Sequence, residues 1–172
     1  MIVVVMGVTG TGKSTIAKAL AARTGWEFAE GDDYHSAANV AKMKSGVPLN
    51  DADRAPWLAS LHEVLAGWQA AGTSGIMTCS ALKESYRATL SDGMEPGNLR
   101  FVLLDVPKDV LAKRLEHRSG HFMNPALLDS QLATLERPSD AIAVDANQTP
   151  SATVDTILKH LHLTATPDKK GT

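Results

Sequence analysis

Apolar residues follow two rhythms along this chain. In the first they are consecutive: Ile2-Val3-Val4-Val5-Met6 runs without a polar position up to Gly7. A β-branched run this short, closed by glycine, predicts a strand covered on both faces, where no polar alternation is needed. Residues 75–79 and 101–106 repeat the pattern, and residues 26–30 and 142–145 show it more weakly. In the second rhythm apolar positions recur every three or four residues, which predicts helices with one buried face. Ile16, Ala17 and Leu20 do so within 14–23. Trp57, Leu58, Leu61, Val64, Leu65 and Trp68 do so within 57–68, with Pro56 expected in that helix's first turn. Pro107 opens a helix carrying Val110, Leu111 and Leu115. Thr149 and Pro150 read as cap and first turn of a last helix, with Val154, Ile157, Leu158 and Leu161 inward.

Strands alternating with helices predict an α/β fold, a five-stranded parallel sheet between two helical layers. Two polar stretches, 31–56 and 118–140, read as flaps on the loops of that sheet. The polar stretch 165–172 reads as a frayed tail after a single domain at 1–164.

Composition narrows the function classes. The chain has 172 residues, 44% hydrophobic and 21% charged, which excludes disordered and fibrous classes. Its 17 basic and 19 acidic residues give a formal charge of −2, so it has no bulk attraction for nucleic acid or an anionic membrane. The single cysteine, Cys79, has no partner within the chain, in keeping with a reducing compartment. The N-terminal run lacks a basic start and falls well short of the ~20 apolar residues of a membrane span. The expectation is a soluble cytoplasmic protein.

The first chemistry-bearing motif lies between the first strand and the first helix. Gly7-Val8-Thr9-Gly10-Thr11-Gly12-Lys13-Ser14 matches G-x-x-x-x-G-K-[ST] at every position. Its glycines let backbone N–H groups curl around a phosphate, and the helix that follows adds its positive end. Lys13 reaches the β- and γ-phosphates of a nucleotide, and Ser14 offers a hydroxyl to Mg²⁺. Thr15 stands where a dinucleotide-binding turn needs its third glycine. The loop alone does not name a function, because switches, motors and small-molecule kinases share it. No asparagine here is followed by lysine, so the guanine-reading motif of GTPases is absent. Asp105 ends an apolar strand as a motor's metal-binding carboxylate does, but Val106 follows it. Asp105 reads as a weak metal candidate or as an ordinary strand-end carboxylate. Phosphoryl transfer to a small acceptor remains.

The other motifs concern that acceptor. The chain carries Gly31-Asp32-Asp33-Tyr34-His35, then Asn39, then Lys42 to Leu58 with Asn50-Asp51-Ala52-Asp53-Arg54-Ala55-Pro56-Trp57. Cys79 to Arg87 follows, then His121-Phe122-Met123, Leu127-Leu128-Asp129-Ser130-Gln131 and Leu135-Glu136. In kind and order these motifs resemble the bacterial-type, thermoresistant gluconokinase family, over Gly7 to Glu136. Ser36, Ser91 and Ala141 depart from the family's usual proline, arginine and acidic residue. The resemblance implies ATP- and Mg²⁺-dependent phosphorylation of D-gluconate at O6. It also implies a fold like the nucleoside monophosphate kinases, a helical lid at about 118–135 and a homodimer. The alternatives are a kinase of another small anion, such as shikimate or a nucleoside monophosphate, and a nucleotide-binding module without turnover.

Each candidate residue has a competing structural reading. Asp32 follows the second strand, so it is expected at the carboxyl end of the sheet. There it holds the attacking hydroxyl and takes its proton, or orients a Mg²⁺-bound water. Helix capping competes more strongly for Asp33. His35 binds a sugar hydroxyl or is structural. Arg54 suits bidentate capture of the gluconate carboxylate, or pairs with Asp51 or Asp53. Lys83 and Arg87, four apart on an expected helix, form a cationic wall or a solvated face. Arg114 and Arg118, also four apart, correspond to arginines that in related kinases stack on adenine and neutralise the transferring phosphate. His121 and Gln131 belong to the lid segment and are expected to contact substrate after closure. Trp57, Trp68, Met43 and Met123 are assigned to packing, and His160 and His162 to the exposed tail.

Overall fold

A computed structural model describes residues 1–116 and 125–163. Five strands, β1 (Ile2–Met6), β2 (Glu27–Glu30), β3 (Gly75–Thr78), β4 (Leu99–Asp105) and β5 (Ile142–Asp145), form one sheet in the order β2-β3-β1-β4-β5. Every pairing is parallel, with Ile2 opposite both Gly75 and Leu99. The helices are α1 (Lys13–Thr24), α2 (Ala37–Lys44), α3 (Asp51–Ala70), α4 (Glu84–Ser91), α5 (Lys108–Glu116), α6 (Pro125–Thr134) and α7 (Pro150–His160).

The consecutive apolar run of β1 is explained by its central place, since all five residues are fully buried. Val3 and Val5 face a core made with Ile16 and Leu20 of α1, Leu111 of α5 and Ile157 of α7. Ile2, Val4 and Met6 face a second core made with Trp57, Leu61 and Leu65 of α3 and Leu90 of α4. The sheet therefore lies between two helical layers, as its strand pattern predicts. Gly75 is required by close approach, because a Cβ there would lie 2.3 Å from the Trp68 indole. No described helix is long and apolar enough to cross a membrane.

Two local expectations need correction. Pro56 is not in the first turn but inside α3, which begins at Asp51. A capping box fixes that start: Asn50 Oδ1 accepts from the Asp53 amide at 2.8 Å, and Asp53 Oδ2 accepts from the Asn50 amide at 2.9 Å. Two satisfied end groups offset the one ladder bond that proline cannot donate. Met43 is 42% exposed on the short helix α2 and packs into neither core. Ser36, the departure from the family's proline, caps α2 by accepting from the Asn39 amide at 3.1 Å. Met123 and the tail 165–172 lie outside the described residues.

Candidate active site at the carboxyl edge of the sheet

All five strands point their carboxyl ends to one rim. The crevice there opens where the chain, having laid β2 and β3 on one side of β1, crosses to β4 on the other. The phosphate loop leaves β1 at this crevice. Gly10 (φ 82°) and Gly12 (φ 92°) adopt left-handed backbone that other residues disfavour. A Cβ on Gly12 would find no atom within 4 Å, so the space beside this residue of the loop is open.

The side chains of the loop divide the work. Thr11 is buried and its hydroxyl donates to the Val8 carbonyl at 2.9 Å, leaving only its backbone to face a phosphate. Lys13 Nζ curls onto the same carbonyl at 3.1 Å. Ser14 and Thr15 follow in the first turn of α1. The Thr9 amide donates to Gln131 Oε1 of α6 at 2.7 Å, so the sequence-predicted lid residue meets the phosphate loop directly. Arg114 spans two loops, donating to the Gly10 carbonyl at 3.5 Å and to the Ala146 carbonyl at 2.9 Å. Arg118 and His121 lie outside the described residues.

Asp32 sits in the tight 3₁₀ turn Gly31–Tyr34 at the end of β2. The turn is fastened by its glycine: the Gly31 amide donates to Thr78 Oγ1 at 3.0 Å, and its carbonyl accepts from Trp57 Nε1 at 2.8 Å. The Asp32 carboxylate is left 84% exposed, with His35 Nε2 4.0 Å away. Lys13 and Asp32 both act electrostatically on Cys79, the residue after β3. Burial pushes that thiol up to about 12, so Cys79 is an inert core group. His35 stacks on Trp57, with ring centroids 4.3 Å apart and planes 14° from parallel. Burial holds its pKa below the ordinary 6.5, Asp32 opposes that shift and Arg54 adds to it. Its buried Nδ1 has no hydrogen-bond partner.

Beside these groups lies a cavity of about 630 Å³, walled by the start of α3, the loop after β3, α4 and α6. Arg54, Lys83, Asp51 and Tyr86 line it, whereas Asp32 and His35 stand outside its wall. Asp51 gathers the cluster. Its carboxylate takes Lys83 Nζ at 2.8 and 3.0 Å and the Tyr86 hydroxyl, with Arg54 Nη1 at 4.0 Å. Lys83 and then Tyr86 hold the Asp51 carboxyl below its usual range. Burial, reinforced by Asp51, pushes the Tyr86 phenol up, so it is a neutral donor. Arg54 and Lys83 both lie against the Tyr86 ring, at 5.8 and 5.4 Å from its centre. Of the two ion-pair partners expected for Arg54, Asp53 is taken by Lys42 at 2.6 Å and by the capping box.

Arg87 departs from the expected cationic wall. Lys83 precedes α4 as its N-cap residue, so the two side chains do not share a helical face. Arg87 is buried, and its Nη1 donates to the Ala81 and Leu82 carbonyls at 2.9 and 3.3 Å. It braces a loop in which Ala81 is left-handed at φ 44°. Asp105 is engaged in a two-point ion pair by Arg137. The neighbouring Glu136 donates its amide to the Leu82 carbonyl at 2.8 Å and caps α4 through its carboxylate. Asp51 and Tyr86 line the cavity without having been assigned to it from the sequence, and Arg137 is the ion-pair partner of Asp105. For Asp51 the signal was the alternative pairing with Arg54, three positions along, and the structure sets the two 4.0 Å apart in α3. Among the described residues no group of His, Cys, Asp and Glu forms a metal cluster.

Comparison with known proteins adds an independent line. Residues 2–138 match the AAA domain family. The gluconokinase of Gluconobacter oxydans is 50% identical over 160 residues, 91% of this chain and 89% of that one. The thermoresistant gluconokinase of Escherichia coli is 40% identical over 151 residues, 86% and 85% of the two chains. Among solved structures, a gluconokinase from Sinorhizobium meliloti superposes with a TM-score of 0.84 at 45% identity, covering 93% of this chain and 90% of that one. Shikimate kinase from Aquifex aeolicus, at 19% identity and a TM-score of 0.58, shares the fold alone. With that much identity over most of each gluconokinase's length, and the same phosphate-loop fold, the chain belongs to the gluconokinase family of P-loop kinases.

Proposed function

We propose that the protein transfers the γ-phosphoryl group of ATP to O6 of D-gluconate. The observation that carries this reading is a cationic cavity, lined by Arg54 and Lys83, which Gln131 borders and links to the phosphate loop through the Thr9 amide. Gluconate is an open-chain polyol ending in a carboxylate, so its pocket needs a fixed cation and several hydrogen-bonding groups. Arg54 holds the carboxylate, Lys83 extends the cationic wall, and Gln131 offers a polar contact near the phosphates. His35, neutral and beside Asp32, binds a sugar hydroxyl. Arg87 supports the reaction from behind, by holding the loop that carries Lys83.

In the transfer step a bond forms between O6 and the γ-phosphorus as the bond to ADP breaks, and Asp32 takes the O6 proton. Lys13 leaves the Val8 carbonyl to neutralise the β- and γ-oxygens. Gly7, Thr9, Gly10, Thr11 and Gly12 wrap the phosphates with backbone, and Thr15 and Arg114 close the nucleotide side. The Ser14 hydroxyl would hold Mg²⁺, which would supply charge neutralisation for the nucleotide phosphates. Arg118 and His121 complete the lid in this reading. Family membership also supports a homodimer in the cytoplasm.

The test is acceptor choice. Glucose has a comparable primary hydroxyl but no carboxylate, so it forgoes the charge-assisted contact with the Arg54 guanidinium. A charge-assisted bond of this kind is worth about 1.5–3 kcal/mol. Gluconate should therefore exceed glucose in kcat/KM by at least about tenfold to a hundredfold. Arg54→Ala should shrink that preference while leaving the KM for ATP near the parent value, and Arg54→Lys should restore only part of it. Equal use of gluconate and glucose by the parent overturns the reading. Retained preference in Arg54→Ala moves the carboxylate to Lys83.

A further inference from the structure

The acceptor cavity carries a carboxylate of its own, which is unexpected in a pocket built for an anion. Among its described lining residues Arg54 and Lys83 are the only cations, and Asp51 is the only anion. Asp51 does not point away from them. Both of its carboxylate oxygens accept from Lys83 Nζ, one also takes the Tyr86 hydroxyl, and the carboxylate lies 4.0 Å from Arg54 Nη1. One of the two positive charges is thereby spent inside the protein, and one remains for a ligand.

We infer that Asp51 is the charge-selecting residue of the acceptor pocket, matching it to a substrate head group with a single negative charge. The inference rests on the acceptor reading above. A monoanionic head group finds the uncompensated charge of Arg54. A dianionic one brings its second charge against the Asp51 carboxylate, with no free cation among the described lining residues to meet it. Repulsion between like charges a few ångströms apart penalises the wrong ligand directly, in addition to the attraction it lacks. A purely structural role for Asp51, as an acidic residue in the first turn of α3, would be indifferent to ligand charge.

The experiment compares two gluconate analogues in which a sulfonate or a phosphonate replaces the carboxylate. Both head groups are tetrahedral and both analogues keep the primary hydroxyl. Above the second ionisation of the phosphonate they differ by one charge. With saturating ATP, the parent should prefer the sulfonate by at least about tenfold in kcat/KM. Asp51→Asn, which keeps size and hydrogen bonding, should reduce that preference by about tenfold or more, and Asp51→Glu should retain it. Lys83→Met, which removes a cation, should move the preference in the opposite direction. An unchanged sulfonate-to-phosphonate ratio in Asp51→Asn, or equal use of both by the parent, overturns the inference while gluconate turnover stands. Failure of the parent to phosphorylate gluconate at all overturns the acceptor reading and this inference with it.

Discussion

Replacing Gly31 with alanine probes how the site is held in place. The added methyl would sit 2.0 Å from the Thr78 carbonyl oxygen, where real contacts do not fall below 3.0 Å. The clash is with backbone of the sheet, which cannot rotate away, so the turn itself must retreat by about 1 Å. Two hydrogen bonds converge on the same residue, from its amide to Thr78 and from Trp57 to its carbonyl. Weakening both costs about 2–6 kcal/mol, taking about 1–3 kcal/mol for each buried group left short of a partner. Asp32 is the next residue and moves with the turn. A displacement of about 1 Å at a reacting group costs on the order of a hundredfold in rate. The phosphate loop hangs on β1, separated from β2 by β3, so ATP binding is shielded from the shift. Urea unfolding should show the lost stability, and steady-state assays should show kcat falling about a hundredfold with little change in the KM for ATP. Gly67→Ala is the control. It lies in α3 with nothing within 4 Å of a new Cβ, and should gain about 0.5–1 kcal/mol. A Gly31→Ala enzyme with parental kcat and an unchanged urea midpoint would refute the reasoning.

His35 and Arg87 give two further tests. Burial holds the His35 imidazole below its ordinary 6.5, so as pH falls the unfolded chain takes up this proton first. Its neutral form thus contributes stability above 6.5 that is lost as pH falls from there toward the lower folded value. His35→Asn should flatten the acid-side loss of Tm, and parallel Tm curves for parent and variant would exclude the effect. Arg87→Met should lower stability by about 2–4 kcal/mol, because two loop carbonyls lose a charged donor beside a left-handed Ala81. An unchanged urea midpoint together with a raised acceptor KM would return Arg87 to the cavity wall.

The centre of the sheet was legible because β1 and β3 are buried on both sides, which leaves an uninterrupted apolar run such as Ile2 to Met6, whereas the edge strands β2 and β5 are partly exposed and read more weakly. The phosphate loop was legible because backbone curvature around a phosphate demands particular residue types at fixed spacing. The acceptor side resisted. There the wall is assembled from α3, the loop after β3 and α4, and sequence spacing reports contacts within an element, not between elements. Arg87 illustrates the point: four residues from Lys83, it turns into the protein because Lys83 is not yet helical. Pro56 misled for a related reason. A proline near a helix start is common, and only the pairing of Asn50 with Asp53 reveals that α3 had begun earlier.

The strand order has a consequence for synthesis. β1 is the middle strand, yet its neighbours β3 and β4 begin only at Gly75 and Leu99. At the usual elongation rate of about 5–20 residues per second, β1 waits roughly 4–15 s for its first hydrogen-bonding partner, and longer for its second. During that interval Ile2-Val3-Val4-Val5-Met6 is a bare, uncharged, β-prone segment of the kind that recruits other chains. Until the sheet forms, α1 has only the amphipathic face of Ile16, Ala17 and Leu20 with which to shelter it. The topology that places the phosphate loop at the centre of the finished enzyme leaves the nascent chain most vulnerable at that same strand.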